Sequence, residues 1–381
     1  MTALRLPFLT ELATNLEKSP QFIQVILGPR QVGKTTGVEQ FLKSYKKSYE
    51  YISGDSFRGD SLLWLTEQWQ KTLEKGHDSL LVIDEIQKIP DWSAHIKNLW
   101  DQQKKKKSEL KLVLLGSSSL NIQKGLSESL TGRFQVIRVY HWNYSYSNKL
   151  KSMSLDDFLR YGGYPGSYAL IKNKKVWDSY IKDSIIETVI GKDILTQARI
   201  KNPALFKQSF VLLSGLPAQE ISYTKLLGQL QDKGNTDLIK YYIELFEGSY
   251  LFQSLPKYHP QTLRRRSSSP KIIPLCPALI DRLTYQSAAE SGRVFEAAVG
   301  ARLAQVYPDL YYWRDGDYEV DYVLETKSAL VAIEVKSGKK KSSKSLSEFI
   351  KKFPKTKIVF ISKENFISFD KDPEAFMAKI L

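Results

Sequence analysis

The chain has 381 residues, of which 42% are apolar and 25% charged, a composition that excludes global disorder. At about 150 residues per domain, this length predicts two or three domains. The single cysteine, Cys276, excludes an intrachain disulfide and a thiolate metal cluster, so we expect it to pack in a core.

Positive charge dominates the composition. Lysine and arginine number 56 against 41 acidic residues, a net charge of +15 that predicts a polyanionic partner. Nucleic acid, in particular DNA, is the leading candidate, and solubility alone is the alternative. The charge is concentrated at residues 104–107, at 264–266 and in a lysine-rich stretch over 336–357. No stretch approaches the ~20 consecutive apolar residues of a spanning helix, and the N-terminus lacks an apolar signal segment, so we expect a cytoplasmic protein with no membrane partner.

Short apolar runs alternate with helical patterns over the first third of the chain, at residues 22–27, near 51, at 79–84 and at 110–116. That alternation predicts a parallel α/β sheet. Glycine and proline then punctuate residues 147–185 around YGGYPGSY, which predicts a lid or linker. Helical periodicity follows over residues 200–250. The pattern over the last hundred residues predicts a mixed α/β region.

Residues 28–35 read GPRQVGKT, which matches the nucleotide-binding pattern G-x-x-x-x-G-K-[ST] between an apolar strand and a helix-compatible stretch. Glycines let the backbone aim amides at phosphate oxygens, and the following helix adds its positive end. We predict that Lys34 reaches the β- and γ-phosphates of ATP and that Thr35 binds Mg²⁺. The predicted nucleotide contacts are Gly28, Pro29, Arg30, Gln31, Val32, Gly33, Lys34 and Thr35, with Thr36 as a weaker helper.

A second motif, LLVIDEIQKIPDW, ends an apolar strand in Asp84 and Glu85. In P-loop NTPases an acid at this point holds Mg²⁺, and a neighbouring residue orients the attacking water. We therefore assign Asp84 to the metal and Glu85 to activation of water, with a solvated strand end as the alternative. A third strand ends in LLGSSS, where Ser117 and Ser118 are candidates for a hydrogen bond to the γ-phosphate. Turn-forming serines are the alternative there.

The segments GPRQVGKTT, LLVIDEIQKIPDW, LLGSSSL and LTGRF resemble the prokaryotic AAA-type ATPases that carry a C-terminal domain of unknown function. The similarity continues through YGGYP, GKDI, YYIELFEGSYL, WRDGDYEVDYVL and AIEVKSG, so it covers nearly the whole chain. The resemblance implies an α/β fold in three parts. These are an AAA-type parallel-sheet ATPase core over 1–146, a helical, winged-helix-like middle with its lid over 147–285, and a mixed α/β, restriction-endonuclease-like end over 286–381.

The same resemblance implies a role for Arg133 of LTGRF. It would act as an arginine finger on the nucleotide of a neighbouring subunit in a homo-oligomer, because such a charge stabilises the transition state of phosphoryl transfer. An ordinary structural arginine is the alternative.

In the middle of the chain, SYTKLLGQLQ and TDLIKYYIELF flank DKGN in a helix-turn-helix spacing. The second segment places Leu238, Tyr242, Leu245 and Phe246 on one apolar face, which we expect in the core. Its opposite face carries three acids and one lysine, a poor surface for phosphates. The basic stretch over 257–266 is better suited to DNA. Packing between domains is the alternative role of the two helices.

Near the C-terminus, EVDYVL places Asp321 on one strand, and VAIEVKSG places Glu334 and Lys336 on one face of the next strand. This is the D-x(n)-E-x-K, or PD-(D/E)xK, pattern of restriction-type nucleases. Asp321 and Glu334 would bind Mg²⁺, and Lys336 would position or activate water. Glu296, on the preceding helix, is a further metal-binding or supporting acid. A solvated strand face is the alternative, because acid-x-lysine is common on exposed strands.

Together these motifs predict a Mg²⁺-dependent ATPase whose core drives or gates a nuclease-like, DNA-binding C-terminal domain. Two alternatives stay open, because folds persist without their chemistry. The first is a nucleotide-controlled switch whose C-terminal domain binds DNA or protein without cleaving it. The second is a signalling or assembly ATPase whose basic runs attach it to another polyanion.

Overall fold

The computed structural model describes residues 6–380 except 19–20, 77, 106–108, 117–118, 197, 199, 231–234, 262–264, 266–267, 281–287, 327–328 and 337–343. The chain divides into two compact units, Met1–Tyr140 with Gly191–Ala198, and His141–Ile190 with Arg199–Leu381. Among the described residues, no helix combines the length and the apolar character that a membrane crossing requires.

The first unit alternates helices and strands. Its helices are α1 (Pro7–Glu17), α2 (Lys34–Ser44), α3 (Ser61–Glu74), α4 (Trp92–Lys105) and α5 (Ser119–Ser129). Its strands are β1 (Ile23–Leu27), β2 (Tyr49–Ser53), β3 (Leu80–Asp84), β4 (Lys111–Leu115) and β5 (Phe134–Arg138). Short 3-10 turns follow β2 at Gly54–Ser56 and β3 at Ile86–Lys88.

These strands form one parallel sheet in the order β2-β3-β4-β1-β5, which confirms the predicted parallel α/β core. Every residue of β1, β3 and β4 is buried, because helices cover both faces of the sheet. Trp69 of α3 and Trp100 of α4 pack into the same apolar core, where each large side chain contributes about 1.5–3 kcal/mol. The carboxyl ends of parallel strands share one edge, so the loops after β1, β3 and β4 lie at that edge.

The second unit is larger. Its helices are α6 (Tyr144–Lys151), α7 (Leu155–Tyr161), α8 (Lys174–Ser179), α9 (Pro203–Ser214), α10 (Tyr223–Gln229), α11 (Thr236–Gly248), α12 (Ala288–Val306), α13 (Lys344–Lys352), α14 (Phe366–Lys371) and α15 (Pro373–Ala378). Its strands are β6 (Gln219–Glu220), β7 (Phe252–Leu255), β8 (Lys271–Pro274), β9 (Leu310–Asp315), β10 (Tyr318–Glu325), β11 (Leu330–Lys336) and β12 (Thr356–Ser362). The chain also has 3-10 turns at Pro165–Ser167 and Pro277–Leu279, and π-helical segments at Tyr180–Ile186 and Val189–Ile194.

Two sheets organise this unit. An antiparallel sheet in the order β6-β8-β7 accompanies helices α9 to α11, and a mixed sheet in the order β12-β11-β10-β9 packs against α12 and α13. This arrangement confirms the predicted α/β class with a helical region and a mixed C-terminal sheet. On α11, Tyr242, Leu245 and Phe246 are buried as expected, whereas Leu238 is half-buried. Cys276 is buried in the same unit.

Helix α12 is fixed against strand β10 by one close approach. A side chain at Gly300 would place its Cβ only 2.3 Å from the hydroxyl oxygen of Tyr322. That hydroxyl donates a hydrogen bond to the carbonyl of Glu296, at 2.7 Å. The glycine therefore allows the helix to approach the sheet, and the tyrosine fixes the turn of α12 that carries Glu296.

Candidate functional site

The P-loop connects β1 to α2 at the carboxyl edge of the first sheet. Gln31 and Gly33 adopt left-handed backbone conformations, with φ of 59° and 88°. At Gly28, an added Cβ would lie 2.1 Å from the carbonyl oxygen of Val139, so only glycine fits there. The loop is thus packed from behind while its front faces a cavity of about 240 Å³. The residues that line this cavity are Arg30, Gln31, Gly33, Lys34, Thr35, Thr36, Asp84, Glu85 and Gly116.

Lys34 begins α2, and its ammonium turns back onto the loop. Its Nζ donates to the carbonyl of Gly28 at 2.9 Å and to that of Pro29 at 2.6 Å. Burial lowers the pKa of Lys34 to about 8, against the opposing effect of the Glu85 and Asp84 carboxylates. The cation predicted to meet the phosphates is therefore held inside the cavity.

Asp84 lies at the end of β3 and gathers three donors around its carboxylate. Thr35 Oγ1 donates to Asp84 Oδ2 at 2.7 Å, and the backbone N–H of Glu85 donates to Asp84 Oδ1 at 2.8 Å. The hydroxyl of Tyr51, on the neighbouring strand β2, donates to Oδ2 at 2.8 Å. The structure thus brings together the two predicted metal ligands. Tyr51 was missed, although it lies two residues before Ser53, the β2 residue that pairs with Asp84, and therefore on the same face of the sheet.

Glu85 follows Asp84 and has a left-handed backbone with φ of 49°. Its Oε2 accepts a hydrogen bond from Nε2 of Gln87, at 2.5 Å. An added Cβ at Gly116, which lies just after β4, would come within 2.2 Å of Gln87 Oε1, so the glycine makes room for that amide. Gln87 was not predicted as a site residue, and it orients the predicted catalytic carboxylate. Ser117 and Ser118 lie outside the described residues.

Arg30 makes a contact that the sequence did not indicate. Its Nε and Nη2 donate to the two carboxylate oxygens of Asp193, each at 2.5 Å. Asp193 belongs to GKDI, a segment that was noted only as part of the family resemblance. The hydrogen bonds to Asp193 raise the pKa of Arg30, against the opposing effect of burial. One P-loop side chain is therefore already engaged by an acid from residues 191–198.

Arg133 lies at the other end of the sheet. Its carbonyl accepts from the N–H of Ile23, the first residue of β1, whereas the P-loop follows the last residue of that strand. A five-residue strand spans about 16 Å, so Arg133 does not reach the nucleotide cavity of its own chain. Its guanidinium pairs with Asp101 through bonds of 2.8 and 2.9 Å. Arg133 therefore has a structural partner within the chain, and a role across a subunit boundary stays a prediction.

In the second unit, an acidic cluster forms where α12 meets β10 and β11. One carboxylate oxygen from each of Glu296, Glu319 and Asp321 lies within 4.8 Å of the others. Glu319 was missed by the sequence analysis, although period-two alternation places it on the same face of β10 as Asp321. The predicted residues Glu296 and Asp321 are thus brought together.

Glu334 and Lys336, both on β11, line the same cavity of about 410 Å³. Oε2 of Glu334 is paired with the Lys336 ammonium, and its Oε1 is buried with no hydrogen-bond partner among the described residues. Burial raises the pKa of Glu334 to about 7, as does the nearby Asp321 carboxylate. Asp321 Oδ2 accepts from the N–H of Val335 at 2.7 Å.

Lys271, on strand β8, is fully buried, and its ammonium enters this acidic cluster. Its Nζ lies 2.5 Å from Glu296 Oε1 and 3.0 Å from Glu319 Oε1, and it donates to the carbonyl of Asp321 at 3.3 Å. Burial by itself lowers the pKa of Lys271, but the surrounding carboxylates outweigh it and raise that pKa. In this arrangement the acids enclose an ammonium, so they do not fit a metal ion as they stand.

The basic segments predicted to meet DNA contain buried, exposed and undescribed positions. Arg265 is largely buried, with its guanidinium 4.8 Å from the rings of both Tyr258 and Tyr311 and with an ion pair of 2.8 Å to Glu325. It therefore stabilises the fold and does not present its charge to phosphates. Positions 106–107, 264, 266 and 339–341 lie outside the described residues, whereas Lys104, Lys105, Lys344 and Lys355 of the predicted basic runs are described and exposed.

Comparison with known proteins divides the chain into three matched regions. Residues 20–146 match the AAA domain family, residues 152–288 match a domain of unknown function (DUF8612), and residues 291–379 match another domain of unknown function (DUF4143). No curated protein matches the chain.

Solved structures give distant similarities. The Thermotoga maritima RuvB Holliday junction branch migration motor is 15% identical over 65% of this chain and 89% of that protein, with a TM-score of 0.35. A threonine-to-valine variant of the same motor is 14% identical over 65% of this chain and 88% of that one, with a TM-score of 0.35. Scores of this size do not establish a shared fold.

The first unit combines a parallel sheet, a P-loop after β1 and an acid pair after β3 at one sheet edge. The AAA domain match covers this same sheet. Residues 20–146 are therefore an AAA-type P-loop ATPase domain.

Proposed function

We propose that this protein hydrolyses ATP with Mg²⁺ and uses the nucleotide to control a nucleic-acid-binding C-terminal part. The observation that carries the proposal is the 2.7 Å contact of Thr35 with Asp84, in the cavity that Lys34 and Glu85 also line. A hydroxyl and a carboxylate are hard oxygen ligands of the kind Mg²⁺ takes beside nucleotide phosphates, so these residues fit the ion. The bound ion would neutralise charge on the phosphates.

Side chains of the protein bind the phosphates and activate the attacking water. The Lys34 ammonium leaves its two carbonyl partners to bind the β- and γ-phosphates. Glu85 accepts a proton from the attacking water, and the Gln87 amide holds the Glu85 carboxylate in a fixed direction. In the same proposal Ser117 or Ser118 binds the γ-phosphate.

Replacing Glu85 with Gln tests the hydrolytic role. The amide keeps the shape of the side chain but does not accept the proton, so turnover should fall by about 100-fold or more while ATP binding persists. Glu39→Gln, an exposed acid on α2, is the matched control and should leave both quantities unchanged. Equal loss of binding and turnover in Glu85→Gln, or loss of neither, contradicts the assignment.

For the rest of the chain we propose a winged-helix-like middle over 147–285 and a restriction-endonuclease-like end over 286–381. The order of α9, β6, α10, α11, β7 and β8 supports the first assignment, because it supplies three helices and a three-stranded antiparallel sheet. The acids that α12, β10 and β11 bring together support the second. The buried Lys271 among them favours a nucleotide-controlled switch over a nuclease.

The nucleic-acid part of the proposal is supported by the net charge of +15. Because that contact would be made with phosphates, DNA affinity should fall steeply with salt, with little dependence on base sequence. Binding measured between 50 and 200 mM salt on two unrelated duplexes of equal length, and ATPase rates with and without DNA, test it. Failure to bind either duplex at low salt refutes this part while leaving the ATPase assignment intact.

A further inference from the structure

Lys271 stands apart from the other lysines of the described chain, because its side chain is fully buried and its ammonium lies among carboxylates. It is carried by β8, which pairs with β6 and β7 and is therefore held on both sides. The residue lies within the region 152–288 that matches one domain of unknown function. Its acidic partners Glu296 and Glu319 lie within 291–379, which matches the other. One region thus supplies the cation for the acids of the next.

The oxygens around Lys271 form a donor set for a divalent ion. Three carboxylate oxygens, one each from Glu296, Glu319 and Asp321, lie within 4.8 Å of one another. Mg²⁺, Mn²⁺ and Ca²⁺ are bound by clusters of hard oxygens of this kind. The Nζ of Lys271 contacts two of these carboxylates and the Asp321 carbonyl. The ammonium therefore takes the place that a cation shared by these oxygens would occupy.

A second observation also indicates an unfilled ligand position. The side chain of Glu334 is only 3% exposed, and its Oε1 has no hydrogen-bond partner among the described residues. It lines the same cavity as Glu296, Glu319 and Asp321. Burying a carboxylate oxygen without a partner is costly, so such an oxygen is expected where a cation can bind. The nearby Lys336 satisfies only Oε2.

We propose that Lys271 is a tethered cation that keeps this acidic cluster free of divalent metal, and that its removal uncovers a site for Mn²⁺ or Mg²⁺. The site would use Glu296, Glu319 and Asp321, with the buried Oε1 of Glu334 as a further ligand. The inference goes beyond the proposed ATPase function and does not depend on it. It predicts that wild-type protein lacks a divalent ion in the second unit, while the substituted protein acquires one.

The test is the number of Mn²⁺ ions bound per chain, measured on the full-length protein without nucleotide. The Asp84→Asn background removes the carboxylate ligand of the P-loop site, so any remaining ion is counted elsewhere. Adding Lys271→Ala should increase the count by one ion per chain, and adding Glu296→Gln as well should remove that ion. Mn²⁺ should also raise the melting temperature of the Lys271→Ala chain by several degrees more than that of the chain with Lys271 intact.

Three outcomes overturn the proposal. The first is a Lys271→Ala chain that folds and binds no additional Mn²⁺. The second is a chain with Lys271 intact that loses a bound Mn²⁺ ion on Glu296→Gln, because the cluster would then hold metal beside the lysine.

The third outcome concerns the case in which Lys271→Ala does not fold, for which a second variant is needed. Lys271→Gln keeps a donor and nearly the same length, and it should also take up Mn²⁺. If neither Lys271→Ala nor Lys271→Gln folds even with Mn²⁺, the lysine is a structural cation that metal does not replace, and the proposal is wrong.

Discussion

Arg30 of the P-loop and Asp193 of the GKDI segment are joined by two parallel hydrogen bonds, each of 2.5 Å. The side chains are 26% and 8% exposed, so solvent screens this pair only in part. A planar guanidinium facing both oxygens of a carboxylate is the strongest form of such a contact. The pair ties residues 191–198 to the nucleotide-binding loop within the first unit.

We expect the Arg30–Asp193 pair to contribute measurably to folding. Asp193→Asn should lower the free energy of unfolding by about 1.5–3 kcal/mol, because a hydrogen-bonded charge loses its partner. A double-mutant cycle with Arg30→Ala should give a coupling energy above about 1 kcal/mol. Asp55→Asn, which breaks the exposed pair with Lys88, is the control and should cost less than about 1 kcal/mol. Chemical denaturation measures all four variants, and additive effects at Arg30 and Asp193 would show that the pair contributes nothing.

The affinity for ATP should depend on pH through Lys34. Burial lowers the pKa of this ammonium to about 8 in the nucleotide-free protein, and only the charged form attracts phosphate. Charge is lost as the pH rises through that value, and bound phosphates shift the pKa upward. Between pH 7 and pH 9 the affinity should therefore fall about tenfold. Titration calorimetry checks this, and Lys34→Met, which does not titrate, should bind weakly with no such fall.

The finger assigned to Arg133 predicts complementation. Arg133→Ala and Lys34→Ala subunits should each be inactive as ATPases. Their mixture should recover part of the turnover, because the intact P-loop of an Arg133→Ala subunit can then lie beside the intact Arg133 of a Lys34→Ala subunit. Asp101→Asn breaks the same ion pair while keeping the arginine, so it should stay active. A protein that is monomeric with ATP bound, or an Arg133→Ala variant with normal turnover, would rule out the finger.

The two hydroxyls that donate to Asp84 should behave differently. Thr35→Val removes a predicted metal ligand, so turnover should drop by about 100-fold and require more Mg²⁺. Tyr51→Phe removes only a supporting hydrogen bond, so turnover should stay within a few-fold while stability falls by about 1 kcal/mol. Mg²⁺ titrations of ATPase activity distinguish the two. Equal Mg²⁺ requirements in the two variants would contradict the assignment of Thr35.

The sequence predicted the features that depend on local pattern. Apolar runs indicated strands β1, β3 and β4, and the motifs after β1 and β3 indicated Thr35 and Asp84, because parallel strands bring those loops to one edge. Glu319 could have been found by alternation from Asp321. Asp193, the partner of Arg30, is 163 residues away, and no local sequence pattern predicts such a pairing.

Lys271 is a second residue whose partners could not be predicted from the local sequence. The stretch KIIP reads as a short buried strand, and a lysine at its start is normally exposed. Only the tertiary structure shows that Lys271 reaches Glu319, which is 48 residues further along the chain. An isolated lysine at the edge of a buried strand was the signal available in the sequence, and it does not identify the acid that it meets.

The two hydrogen bonds from Lys34 to the carbonyls of Gly28 and Pro29 bear on how the protein releases its product. When a phosphate leaves the loop, the Lys34 ammonium can donate to these two carbonyls instead. The nucleotide-free loop is therefore not left with an unpaired charge. The same acceptors compete with every incoming phosphate and reduce the net gain from binding. We therefore expect this loop to release a bound nucleotide more readily than a loop whose lysine has no alternative partner.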